Sequence, residues 1–297
     1  MLIPENKIYF DGSHYIAIPH TTRPKQGRKN KAATTTPNPN KPPTKKEIFD
    51  EMYKGSLNKP KSELKESIIQ EMRNHFDSDE QTEKFVDEQF ERKKRNAIVR
   101  RTRLSRKVYL QQWNFFCTFT YDSDKHTEDS FKKKLSNCLA HLSNRKGWKY
   151  IGVWERSPKN NRLHFHALTY IPDGSMVGEL IQVTDYDTTA HRKQTTLQNT
   201  YFNEKFGRSD FKELIRFLLP KAVSYLVKYL EKSGGKLVYS RGLPAYFISD
   251  VMEEDVVCTI GQEDRKLLLF DNFNCWDNGE YIGVVSDNVI KYLRKSN

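Results

Sequence analysis

The 297-residue chain has no run of 18 apolar residues, and its N-terminus, MLIPENKIYFDG, turns polar too early for a secretory signal. A membrane-spanning or exported protein is thereby set aside, and a soluble cytoplasmic one is expected. Cysteine is scarce. Cys117, Cys138, Cys258 and Cys275 show no CxxC spacing, which argues against a disulfide framework and leaves free thiols in a reducing compartment. The phosphate-cradling pattern GxxxxGK[ST] is also missing, so no nucleotide-driven motor is expected in this chain. Acidic residues are outnumbered, 38 against 50 Lys and Arg, for a formal charge of +12. Such an excess points to an anionic partner, with nucleic acid ahead of a membrane surface.

What is present divides unevenly. After a short N-terminal segment, 1–20, residues 21–47 are rich in Pro, Thr, Asn and Lys and nearly devoid of large apolar side chains. Such a segment buries too little surface to offset its chain entropy, so a disordered basic linker is expected there. Residues 48–108 are highly charged, with apolar positions three to four apart, and read as a helical arm. Its end, Arg92 to Lys107, carries nine Lys or Arg and no acid. Arg100, Arg101, Arg103, Arg106 and Lys107 become candidate phosphate contacts, although a solvated helix face has the same composition.

From about residue 109 to 243 the texture is that of an α+β domain, an antiparallel sheet with packed helices. WNFFCTFTY (Trp113–Tyr121) reads as a buried strand. Thr127 to Ser143 has helical spacing. KYIGVWE and RLHFHALTYI form a hairpin across the turn residues 157–161. A polar insertion follows near 184–208, then a helix over Asp210–Ser233 that Pro220 splits or kinks. The tail, 244–297, alternates strand-like runs with acidic turns and ends in a short basic helix.

Two features carry chemistry. Side chains alternate along a strand, so His164 and His166 share a face about 7 Å apart. Glu155, on the neighbouring strand, can present a carboxylate to the same place, and two imidazoles with a carboxylate make an open divalent site. Core histidines or surface histidines would leave the same HxH pattern. In AVSYLVKYLEK, Tyr225 and Tyr229 stand one helical turn apart and emerge together. A tyrosine pair at that spacing is often a packing stripe. Here Val223, Leu226, Val227 and Leu230 can supply the core-facing side without them.

Taken in order, FFCTFTY, HFH and YLVKYLEK make the segment Trp113–Gly242 resemble the HUH endonucleases that initiate rolling-circle replication. The third motif is closest to the two-tyrosine initiators of single-stranded DNA phages and related plasmids. The resemblance implies an RRM-like or ferredoxin-like core. It implies that His164, His166 and Glu155 hold Mg²⁺ or Mn²⁺, with Asp122 or Asp173 as substitutes for Glu155. It makes Tyr229 and Tyr225 nucleophiles, Lys228 the lysine between them and Lys232 a contact to DNA. The expected activity is nicking and rejoining of single-stranded DNA at an origin, through a 5′-phosphotyrosine and a free 3′-OH. A host helicase and polymerase in a bacterial cytoplasm would complete replication. Relaxases and transposases share these motifs, and a non-catalytic basic DNA-binding regulator could share the fold.

Overall fold

The computed structural model describes residues 1–18, 42–56, 60–157, 161–187, 191–233, 236–255, 258–260, 266–269 and 271–296. In chain order the elements begin with β1 (Leu2–Phe10), β2 (Tyr15–Ile18), α1 (Lys45–Gly55), α2 (Lys61–Met72) and α3 (Asp79–Val108). They continue with β3 (Phe115–Thr120), α4 (Glu128–Lys146), β4 (Lys149–Arg156), β5 (Leu163–Tyr170), β6 (Leu180–Asp187), β7 (Arg192–Asn199), α5 (Thr200–Lys205) and β8 (Ser209–Glu213). After α6 (Leu219–Ser233) come β9 (Val238–Tyr239), β10 (Tyr246–Met252), β11 (Cys258–Ile260), β12 (Lys266–Leu269), β13 (Asn274–Asp277), β14 (Glu280–Val284), α7 (Asp287–Tyr292) and β15 (Lys295–Ser296). The mixed α+β class expected from the sequence is what forms, with antiparallel sheets and packed helices.

The chain separates into two compact units, 21–99 and 1–20 with 100–297. In the smaller one, Thr44 caps α1 reciprocally with Glu47. Phe49, Leu64, Ile68, Met72 and Val86 form its core. Most of the expected linker, up to residue 41, lies outside the described residues.

The larger unit holds the sheet that matters for chemistry, in the order β8-β3-β5-β4-β9, all antiparallel. Its two faces are set by strict alternation along β3, β4 and β5. Cys117, Phe119, Tyr150, Phe165 and Ala167 point to one face and pack against Phe131, Leu135, Leu139 and Leu142 of α4. Thr127 caps the start of α4, and Gly147, in the left-handed conformation at φ 71°, ends it. Ile151, Val153 and Leu168 point to the other face, where they meet Leu226, Val227 and Leu230 of α6 and Leu104 and Val108 of α3. At Gly152, β4 and β5 leave no room for a side chain, since a Cβ would lie 2.4 Å from the His166 carbonyl oxygen. Trp113 and Trp148 are buried. Cys117, Cys138 and Cys275 are buried free thiols, and burial pushes that of Cys117 up to about 12.

Two sequence expectations are corrected. No helix runs from Asp210, because Ser209–Glu213 forms the edge strand β8 beside β3. Phe211 follows the strand period into the α4 face. Pro220 does not kink a helix. It stands in the first turn of α6, where its missing N–H has no partner to lose. The polar stretch near 184–208 is likewise structured, as the β6–β7 hairpin and α5.

The first residues and the tail build a second sheet, β11-β12-β2-β1-β10-β13-β14, with β15 beside β10. Among the described residues, no helix is long and apolar enough to cross a membrane.

Candidate active site

Beyond Val153 and Leu168 the face under α6 changes character while its strand period continues. The next inward positions are Glu155 on β4, His166 and His164 on β5, and Thr118 and Thr120 on β3. Register places Glu155 and Thr120 opposite His164, with Thr118 opposite His166. Cross-strand neighbours on one face come within side-chain reach, and these do. Thr118 Oγ1 lies 3.0 Å from His166 Nδ1, and Thr120 Oγ1 lies 2.8 Å from His164 Nδ1. His166 Nε2 is 2.9 Å from Glu155 Oε2, and both of those residues are more than nine-tenths buried.

The two threonines decide which nitrogen of each ring is available. A hydroxyl can donate or accept, so each Nδ1 can carry the ring proton and donate it to threonine. Each Nε2 lone pair is then left for another electrophile. Metal-bound histidines are commonly oriented in this way by a partner at the second nitrogen. His164 is held below its ordinary value, first by burial and then by His166 and Arg162, against the opposing pull of Glu155 and Asp210. The neutral imidazole is the favoured form. The donor set is therefore chemically suited to a divalent cation. It is not closed into a cage: among the described residues no group of three His, Cys, Asp or Glu side chains is placed to hold a metal ion. Asp122 bonds to the Asp124 amide and lies 3.8 Å from Lys125. Asp173 follows the opposite end of β5 from His164.

Helix α6 brings both phenols onto the imidazole. The Tyr229 ring stacks on that of His166, with centroids 5.1 Å apart and planes at 16°. Tyr225 meets the same imidazole edge-on at 5.5 Å, and the two phenol rings are 4.5 Å apart. Val223, Leu226, Val227 and Leu230 do form the buried side of the helix. The phenols do not face a separate surface, however. They stand over the polar end of the same sheet face. Phe116 packs edge-on against Tyr225 at 5.4 Å from the other side.

Although 40 % exposed, Tyr225 holds its proton well above the ordinary tyrosine range. Burial is the main cause, followed by its hydrogen bond to Tyr229 and the nearby negative charge of Tyr229 and Glu155. A phenol that keeps its proton beside Tyr229 is placed to donate to charge developing on the Tyr229 oxygen.

Lys228 is exposed on α6. Lys232 lies in the last turn of α6, and its side chain is outside the described residues. Arg101 and Arg103 are exposed on the final turns of α3, and Arg100 is half-buried. Arg106 and Lys107 lie over aromatic rings, that of Tyr9 at 4.0 Å and that of Tyr239 at 4.5 Å. Sequence reasoning missed Thr118 and Thr120. Their signal was a polar pair with the same two-residue period as the histidines.

Residues 114–234 match the family model for replication-associated proteins of the ORF2 type. No curated protein and no solved structure matches the chain. The matched segment runs from the start of β3 to the end of α6 and contains every residue of the site just described. It supports a replication-initiator (Rep) family, with DNA replication as the process and DNA as the partner.

Proposed function

We propose that the chain nicks and rejoins single-stranded DNA at a replication origin, with Tyr229 as the initiating nucleophile and Tyr225 as the second. The observation that carries this reading is the contact of both phenols with one imidazole of the His-Glu-Thr set. A packing stripe would put its rings on apolar neighbours. These rings stand on a ligand-type side chain instead.

In the proposed step the Tyr229 oxygen attacks the scissile phosphorus, forming a P–O bond to tyrosine while the P–O3′ bond breaks. The phenol proton is lost and the departing O3′ takes one up. The products are a 5′-phosphotyrosine and a 3′-OH that a polymerase extends. One phosphodiester replaces another, so no nucleotide is consumed and the free 3′-OH can reverse the step. His164, His166 and Glu155 would hold Mg²⁺ or Mn²⁺, which when bound offsets phosphate charge and orients the phosphoryl group. Thr118 and Thr120 fix the histidine tautomers. The Tyr225 hydroxyl donates to the Tyr229 oxygen as charge builds there, and Lys228 supplies a cation on the same helix. Tyr225 then cuts the regenerated origin while Tyr229 still holds the first 5′ end, so that the displaced circle is sealed. A helicase of the host would open the duplex, because GxxxxGK[ST] is absent from this chain.

The test is a supercoiled plasmid carrying the chain's own replicon, incubated in Mn²⁺ and analysed for nicking and for DNA-bound peptide. A phosphotyrosyl peptide spanning Tyr229 is expected. Cleavage that persists in EDTA or in the His164→Ala/His166→Ala variant removes the metal from the proposal. Sequence-specific binding without any nick overturns catalysis altogether.

A further inference from the structure

Beside Tyr225 the site is continuous with a cleft of about 710 Å³. Such a volume encloses a ligand of roughly nucleotide size. Thr118, whose hydroxyl meets His166, and Tyr225 both line it, so cleft and site share a wall. Much of the remaining surface is apolar, from Phe116, Leu197, Leu214, Leu218 and Ala222. Lys212 on β8 and Lys221 on α6 also line it, and both are exposed. Asp210 and Glu213 add negative charge to the wall. Arg208 lies 3.4 Å from the first, and the second stands at the end of β8 away from His164.

Two further features converge on this cleft. Lys221, Tyr225 and Lys228 are exposed and recur at i, i+4 and i+7, which makes one stripe along α6. Immediately before α6, Phe217 is 87 % exposed and Ile215 is 63 % exposed, while their neighbours Leu214 and Leu218 line the cleft. A duplex keeps its base faces stacked and offers a protein mainly phosphates and groove edges. Apolar walls beside an exposed aromatic ring and lysines suit unstacked bases joined by a charged backbone.

We propose that this cleft seats the unpaired DNA strand adjoining the scissile phosphate, with bases against Phe217, Leu218 and Phe116 and phosphates on Lys212 and Lys221. The assignment rests on the nicking reading for the meaning of Tyr225, but it makes a separate prediction about binding.

The probe is fluorescein-labelled dT20, titrated into the full-length protein at several salt concentrations and read by anisotropy. Phe217→Ala is expected to weaken binding about tenfold, the usual loss of one stacked base. Lys212→Gln/Lys221→Gln should flatten the slope of log K against log salt by about 1.4, about 0.7 for each phosphate contact on a single strand. Lys133→Gln/Lys134→Gln, an equal charge change on exposed positions of α4, should weaken binding less than about twofold. All these side chains are exposed, and thermal melts confirm folding. Equal losses in the α4 control, or wild-type binding by Phe217→Ala, overturn the cleft. Tyrosine–DNA adducts on the replicon plasmid are scored in parallel. Adducts together with wild-type dT20 binding by all cleft variants reject the cleft and keep nicking. Cleft-dependent binding without adducts rejects nicking and keeps the cleft as a strand-binding site.

Discussion

The two faces of the five-stranded sheet share strands, register and length, yet they do different work. Under α4 the inward positions stay apolar across β3, β4 and β5, from Tyr150 and Ala167 to Trp154, Phe165 and Phe119. Under α6 the same alternation starts with Ile151, Val153 and Leu168 and then switches to Glu155, His166 and His164. Backbone geometry is common to both, so the difference lies wholly in side chains. The apolar half of the α6 face fixes the helix, and a fixed helix delivers the phenols to the polar half. Reactive groups are set on rigid elements here rather than on loops, the arrangement that best holds a productive geometry.

Substitutions on the two faces should therefore separate activity from stability, and the largest effect belongs to the polar end. Tyr229→Phe removes one hydroxyl and should abolish the covalent adduct while the urea midpoint barely moves. Tyr225→Phe should still nick an oligonucleotide but fail to resolve circles. Equal nicking by the two single variants, with loss only in the double, would show interchangeable nucleophiles. On the α4 face the pattern should invert. Phe165 is fully buried, so Phe165→Ala should cost about 3–5 kcal/mol in urea unfolding. The specific activity of the protein that remains folded should stay near wild type.

A smaller effect tests the threonines. Thr118→Val/Thr120→Val keeps side-chain shape but removes both partners of the Nδ1 atoms. If the histidines take a cation, Mn²⁺ affinity should fall about 10- to 100-fold by calorimetry. An unchanged affinity would assign the threonines to packing alone. The smallest effect lies at the rim, where Arg156 on β4 makes a two-pronged contact with Glu128 on α4. That contact holds the Glu128 carboxyl below its ordinary value. A depressed carboxylate contributes stability above its unfolded value, about 4.5, and loses it as pH falls through the folded value. Glu128→Gln should remove about 0.5 kcal/mol or less at neutral pH and flatten that part of the acid profile.

Much of this site was legible because it obeys short periods. His164 and His166 are two apart on a strand, Tyr225 and Tyr229 four apart on a helix, and Glu155 lies across a hairpin with a recognisable turn. Thr118 and Thr120 obey the same period but sit in a strand whose partner, β5, lies more than forty residues away, and no local signal announces that pairing. Strand β8 was hidden by its length of five residues and by the helical segment that follows it. The cleft is less legible still. Its lysines come from β8 and α6, and its exposed aromatic looks in the sequence like one more apolar residue of a helix.

The pairing of β1 with β10 brings residues 2–8 against residues 247–252. A nascent chain made at about 5–20 residues per second leaves β1 without its partner for roughly 10–50 s. The β3–β5 strands and α4 close among near neighbours and can assemble during that wait. Closing the β1–β10 ladder is the high-contact-order step, so it should set the pace of refolding from denaturant. The sheet that carries the chemistry is the early one, and maturation of the protein ends with the joining of its first strand to one of its last.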